Sequence, residues 1–350
     1  MKINDYNSNS LKIGITQGDF NGVSYEIVIN TLIDTVLCEL LTPVFFGTSK
    51  LVSYFRKLFN AQDFSFQIAK SNDISVKKPN LINIFASETK VAIGTQTSEA
   101  TDLAILSLEA AYEAVTGRNI DAIVCCPISP GLLKDKLPTF TGNGSFFVQK
   151  LKSDKFMRIL CNDNVRIACA TDKVEISNIK KFISQDVLLH KIISLNNILK
   201  NDFMINMPKI AILAVNPVNE NGTFVGGEEE HLISAAVSAA ASRGVYVFGP
   251  YDAMQLFQRN DYKAFDAIMA VAEQQANTVF SLLNGKDGII YTAGLPFVIT
   301  EPAHGAMYEI AGKNIADCQA FRNALYYAKD LTLNRRENYR LRKNALQTAE

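Results

Sequence analysis

Short runs dense in apolar and β-branched residues alternate along the chain with longer stretches whose apolar positions recur every three or four residues. The runs Leu11–Thr16, Pro43–Phe46, Leu81–Phe85, Asp121–Cys125, Arg166–Ala170, Lys209–Val215, Val245–Phe248 and Ala264–Met269 read as strands. The stretches Tyr25–Leu37, Ser98–Thr116, Val187–Lys200, Glu228–Ser242 and Ala316–Ala328 read as helices, the last ending near Lys329. Within the second of these, Ala104, Leu108, Ala111 and Val115 mark out one amphipathic face. Such alternation predicts βαβ units and a largely parallel, helix-covered sheet, the α/β class. No internal repeat and no low-complexity linker interrupts it. At about 100–200 residues per domain, 350 residues predict two domains or one large α/β unit.

Charge narrows the range of partners. Thirty-five basic residues balance thirty-five acidic ones, so the whole protein carries no field for capturing nucleic acid or an anionic membrane. The one basic segment, with Arg335, Arg336, Arg340, Arg342 and Lys343 against Glu337, reads as the solvated face of a terminal helix. A composition of 48% hydrophobic and 20% charged residues excludes disorder. The polar start Met1–Ser10 has no apolar core of a secretory signal, and no apolar run is long enough to span a bilayer. Six cysteines show no metal-type spacing and read as buried free thiols. These features predict a cytoplasmic protein with neither a nucleic acid nor a membrane as partner.

Four polar, glycine-bearing turns follow predicted strands, where ligands collect in open α/β sheets. They are Thr16–Gly22, Pro127–Gly131 with Thr141–Ser145, Asn216–Gly222 running on to Gly226–Glu230, and Thr292–Pro296 continuing to Glu301–Ala306. None is a dinucleotide fingerprint or a Walker loop. Only three histidines exist. His190 reads as a partly exposed helix residue and His231 as a surface residue near a helix start. His304 either lines a ligand or structures its own loop. No serine–histidine or cysteine–histidine pairing stands out for nucleophilic catalysis.

Taken in order, the turns resemble the 4-hydroxythreonine-4-phosphate dehydrogenase (PdxA) family of pyridoxal phosphate biosynthesis. Thr16-Gln17-Gly18-Asp19 with Asn21-Gly22 and Glu26 matches its opening motif, and Pro127 with Thr141-Gly142 a second. Asn216-Pro217 with Gly227-Glu228-Glu229 matches a third. Tyr291–Pro296, Pro302–Gly305 and Ile310–Lys313 match a fourth. The resemblance implies two α/β domains around a cleft, like isocitrate and isopropylmalate dehydrogenases, in a homodimer. Residues 1–125 plus 285–350 would form one domain and 126–284 the other. It further implies NAD as cofactor, with Gly294, His304 and Gly305 on the cofactor side, and a divalent metal that assists loss of carbon dioxide.

By the same resemblance, the substrate and metal positions have diverged here. The three family histidines that hold metal align with Lys173, Val218 and Glu273. An ammonium, an isopropyl group and one carboxylate do not replace three imidazoles, so no divalent metal is expected. The substrate-pocket positions align with Asn143, Gly144, Gln274, Ser281, Ile290 and Ile299. Ile299 stands where a phosphate needs a guanidinium. The reading is a non-catalytic relative that works by sensing a small-molecule ligand or binding a partner. The alternative is an active NAD-dependent dehydrogenase with an altered substrate or a metal-free mechanism. Lys173 and Glu273 would then be the acid–base candidates, provided they face one another.

Overall fold

A computed structural model of the chain describes residues 11–70, 73–225, 227–284 and 286–343. The polar start Met1–Ser10 and Gly226 of the third turn lie outside the described residues. Among the described residues twelve strands follow in chain order: β1 Lys12–Thr16, β2 Thr42–Gly47, β3 Gln67–Ile68, β4 Asn80–Asn83, β5 Ala122–Cys125, β6 Met157–Cys161, β7 Arg166–Cys169, β8 Lys209–Leu213, β9 Tyr246–Tyr251, β10 Ala267–Ala270, β11 Ile289–Ala293 and β12 Val298–Pro302. The chain divides into two compact units, 1–153 with 296–332, and 154–295 with 333–350. Both are α/β.

In the first unit the strands run β3-β4-β2-β1-β5-β12, every neighbour parallel. β1, β2 and β5 are buried along nearly their whole length, which is why they read as unbroken apolar runs. Thr16 lies opposite both Phe46 and Cys125, so three strands end level with one another. The carboxyl ends of β1 and β5 feed the first two of the turns that carry the resemblance. The helix Ser98–Thr116 matches its predicted span because Thr97 caps it, accepting from the Ala100 amide, and Gly117 follows it. The predicted helix Tyr25–Leu37 is instead two, Ser24–Leu32 and Val36–Leu40.

In the second unit the order is β11-β6-β7-β10-β8-β9. β6 runs antiparallel to both β11 and β7, and the remaining pairs are parallel. Ser184 caps the helix Gln185–Asp202 through the Val187 amide, and Leu188, Ile192, Leu195 and Leu199 form its buried stripe.

The C-terminal helix differs from expectation. It is one element, Gln319–Lys343, rather than a helix ending near Lys329 followed by a solvated face. Arg335 turns inward in the second unit. Its Nε donates to Asp202 Oδ1 at 2.7 Å, Nη2 to the Tyr291 hydroxyl at 2.6 Å and Nη1 to the Leu295 carbonyl at 2.9 Å. The Tyr291 hydroxyl in turn donates to Asp202 Oδ2 at 2.6 Å. Arg340, Arg342 and Lys343 remain exposed, as a charged face predicts. Among the described residues no helix is long and apolar enough to cross a membrane.

Candidate functional site

At the carboxyl edge of the first sheet, the turn after β1 is knotted into its neighbours. Asp19 is buried, and its Oδ1 accepts from the Asn21 amide at 2.9 Å while Oδ2 accepts from the Tyr308 hydroxyl at 2.6 Å. Burial pushes this carboxyl above its usual range, and the Tyr308 and backbone hydrogen bonds only partly offset that. Asn21 accepts from the Ala92 amide at 2.8 Å and donates to Thr97 at 3.1 Å. The Val23 amide donates to the Ala306 carbonyl at 2.9 Å, an approach so close that a Cβ on Gly22 would collide with that oxygen. Glu26, also buried, accepts from the Ala316 amide at 2.6 Å. The opening motif therefore fixes the loop of residues 304–316 in place.

His304 sits in that loop, with Nδ1 3.0 Å from the Gly305 carbonyl and Nε2 buried without a partner. Burial pushes the imidazole below its ordinary value, the Gly305 hydrogen bond opposing. The Nδ1 contact lies within the loop itself, and Nε2 makes no hydrogen bond. Gly305 is exposed.

Asn143 and Gly144 begin the helix Asn143–Leu151 and are buried. Asn143 Nδ2 donates to Glu301 Oε2 at 2.6 Å and to the Cys126 carbonyl at 3.2 Å. Ile299 is 1% exposed on β12, part of the sheet's apolar packing. Glu301, which belongs to the same strand, stood at the start of the Glu301–Ala306 stretch of the fourth turn and was given no role of its own.

In the second unit, the two acid–base candidates meet. Lys173 Nζ is 3.1 Å from Glu273 Oε1, and the Lys173 amide donates to Glu273 Oε2 at 2.9 Å. Arg158 Nη1 reaches the same Oε1 at 2.8 Å, and Asn277 Nδ2 donates to it at 3.1 Å. Burial would raise the Glu273 pKa, but Arg158 foremost, then the Lys173 amide and ammonium, outweigh it and hold the carboxyl below its usual range. Arg158 was invisible to motif reading because β6 itself was not recognised. Beside the pair, Asp172 keeps one oxygen buried without a partner, and burial pushes its carboxyl up. Among the described residues, no group of three or more histidine, cysteine, aspartate or glutamate side chains gathers to hold a metal ion.

The other diverged positions are scattered in character. Val218 is half-buried and bridges Phe224 within its own loop. Gln274 is exposed and bonds Thr278 at 3.4 Å, and Ser281 is exposed further along the same helix, Glu273–Asn284. Ile290 is half-buried on β11. Gly294 has φ +82°, and a Cβ there would strike the Lys155 carbonyl, so the backbone alone demands glycine. The cysteines are free, five buried and Cys318 half-buried; burial pushes the Cys161 and Cys169 thiols up to about 12.

Known proteins agree with the motifs. The profile of the pyridoxal phosphate biosynthetic protein PdxA matches residues 39–328. The chain belongs to the PdxA family. It is 34% identical to 4-hydroxythreonine-4-phosphate dehydrogenase of Bacteroides thetaiotaomicron, covering 97% of this chain and 93% of that one. The enzyme of the same name from a Sulfurihydrogenibium species is 29% identical over 88% of this chain and 94% of its own. The crystal structure of a 4-hydroxythreonine-4-phosphate dehydrogenase from Burkholderia phymatum superimposes with a TM-score of 0.73 at 25% identity, covering 92% and 98% of the two chains. The PdxA relatives carry a dehydrogenase name, which supports oxidoreductase chemistry as the family function. The PdxA opening motif, in this chain, is what holds the loop around His304.

Proposed function

We propose that this PdxA-family chain does not run a metal-assisted oxidative decarboxylation and acts by binding a small ligand or a partner. The observation that carries this is the contact of Lys173 with Glu273. A divalent cation placed at these aligned positions would face an ammonium and the Arg158 guanidinium. Of the three aligned positions only Glu273 carries a carboxylate, and it already pairs with both cations. One carboxylate with two cations is not a donor set for zinc, magnesium or manganese. The residues present do not fit the metal.

A nicotinamide dinucleotide fits better. His304 Nε2 lacks a partner, and Gly305 offers exposed backbone beside it. When bound, such a cofactor would supply a hydride acceptor. A homodimer, as the family resemblance implies, is the assembly expected of this chain, and sedimentation of the purified protein tests this.

The test of the main reading is turnover. Folded protein with 4-phosphohydroxythreonine, NAD and Zn²⁺, Mg²⁺ or Mn²⁺ in turn yields no NADH, while an intact relative does. NADH formation that scales with protein would overturn it. The same Lys173–Glu273 contact favours one second reading, a metal-free dehydrogenase in which these two groups exchange protons. NADH that appears without metal and disappears in Lys173→Met would select that reading.

A further inference from the structure

The three positions that the resemblance aligns with metal-binding histidines fall in three different turns of the second unit. Lys173 follows β7, Val218 follows β8 and Glu273 follows β10. A metal held there would tie three strand ends together. Those ends are tied already, by two side chains from the first turn of the helix Glu273–Asn284. Glu273 accepts from the Lys173 amide at 2.9 Å and the Lys173 ammonium at 3.1 Å, which joins the turn after β10 to the one after β7. It also accepts from Arg158 of β6 at 2.8 Å. Two residues on, Gln275 spans the other gap. Its Nε2 donates to the Ala214 carbonyl, just beyond β8, at 2.8 Å, and its Oε1 accepts from the Ala272 amide at 3.2 Å. Lys173 has φ +51°, a conformation that few residues other than glycine adopt, and both its nitrogens are held by the one carboxylate.

We infer that the Glu273 and Gln275 side chains take the place of a metal ion as the cross-link of this sheet edge, so that the second unit holds these turns without divalent metal. Four hydrogen bonds converge on Glu273, the fourth from Asn277 Nδ2 at 3.1 Å, and the side chain is 11% exposed. Those from Arg158 and the Lys173 ammonium are charge-assisted, the stronger kind. A structural metal works in the same way, with ligands from separate elements meeting at one centre. Here the centre is a carboxylate and the groups around it are donors, so the sign of the charge is reversed. A divalent cation could enter only by displacing Arg158 and Lys173, which would leave two cations beside it. This inference rests on the reading that no metal works at these positions, and it names what holds the turns instead.

Thermal melts and amide exchange on the full chain test it. Melting temperatures in EDTA and in stoichiometric Zn²⁺, Mg²⁺ or Mn²⁺ are expected to agree within about 2 °C. A larger rise with any of these metals, or a larger fall in EDTA, overturns the proposal. Glu273→Ala and Gln275→Ala are each expected to melt about 2 °C or more below the unaltered protein. Their local signatures differ. Exchange should quicken about ten-fold or more at the Lys173 amide in the first variant and at the Ala272 amide in the second. Unchanged melting of either variant, or unchanged exchange at its amide, overturns the proposal. Glu273→Gln, which keeps the shape of the side chain, replaces the alanine variant should that one not fold. Metal-dependent NADH in the turnover assay, with melting insensitive to metal, would remove the non-catalytic reading and leave this cross-link standing.

Discussion

Lys173 and Glu273, one hundred residues apart in sequence, close on each other twice, through the ammonium at 3.1 Å and through the lysine's own amide at 2.9 Å. The two ends of this pair differ in burial, at 45% and 11% side-chain exposure. Lys173→Met therefore removes a half-exposed partner and is expected to cost about 1 kcal/mol or less. Glu273→Gln strands Arg158, itself only 18% exposed, and is expected to cost about 1–3 kcal/mol. Urea melts of the two variants check the order. Equal losses would mean that Arg158 does not depend on Glu273.

The acid limb of stability should be set partly by Glu230 and Glu273. For Glu230, burial acts upward but the side-chain and backbone hydrogen bonds of Asn216 prevail, and both carboxyls end below their usual range. A depressed carboxyl stabilises the fold fully above its unfolded value, about 4.3, and loses that contribution as pH falls through the folded value. Glu230→Gln is expected to flatten the decline in melting temperature below about pH 4.5, as thermal scans across pH would show.

His304 works in the same direction at higher pH. Burial lowers its folded value below 6.5, so the neutral ring stabilises the loop above that point, and the contribution fades as pH falls and the unfolded state takes up the proton. Amide exchange across residues 304–316 is expected to quicken between about pH 7 and pH 5, and less so in His304→Gln. Exchange independent of pH, after correction for intrinsic rates, would contradict this.

Arg335→Ala should be among the most damaging changes in the chain. It leaves Asp202, 5% exposed, without its cation, a loss of about 3–5 kcal/mol for a broken buried pair. Arg335→Lys should rescue little, since one ammonium cannot reproduce the fork that spans Asp202, Tyr291 and Leu295. Chemical denaturation of both variants provides the measurement.

Gly22→Ala places a methyl group against the Ala306 carbonyl and should disturb the His304 loop without touching the second unit's Lys173–Glu273 pair. Chemical shifts that move around residues 304–316 and stay fixed around 173 and 273 would bear this out.

What the sequence made legible follows from burial. β1, β2, β5, β8 and β10 are apolar runs buried by a parallel sheet, and each was visible as such. β6, β11 and β12 were not, because polar residues break their patterns, and Arg158, Thr300 and Glu301 find their partners only in the folded chain. The site divides the same way. Lys173 and Glu273 could be nominated from motif positions, and they do meet. Arg158 carried no local signal, and Glu301 stood in the fourth turn without a role. Arg335 was read as solvated because its partner Asp202 lies 133 positions away.

The helix Gln319–Lys343 gives its residues through Thr332 to the first unit and those from Leu333 to the second. Neither unit is a continuous stretch of chain, and the order of synthesis matters as a result. When residue 295 has been made, the first unit still lacks β12 and the second still lacks Arg335. The usual sequence, in which an N-terminal domain folds while the next is being translated, is closed to this protein. Both units wait for the same last helix, so a chain stalled near residue 295 exposes a first sheet without β12 and a buried Asp202 without Arg335 to whatever chaperone or protease meets it.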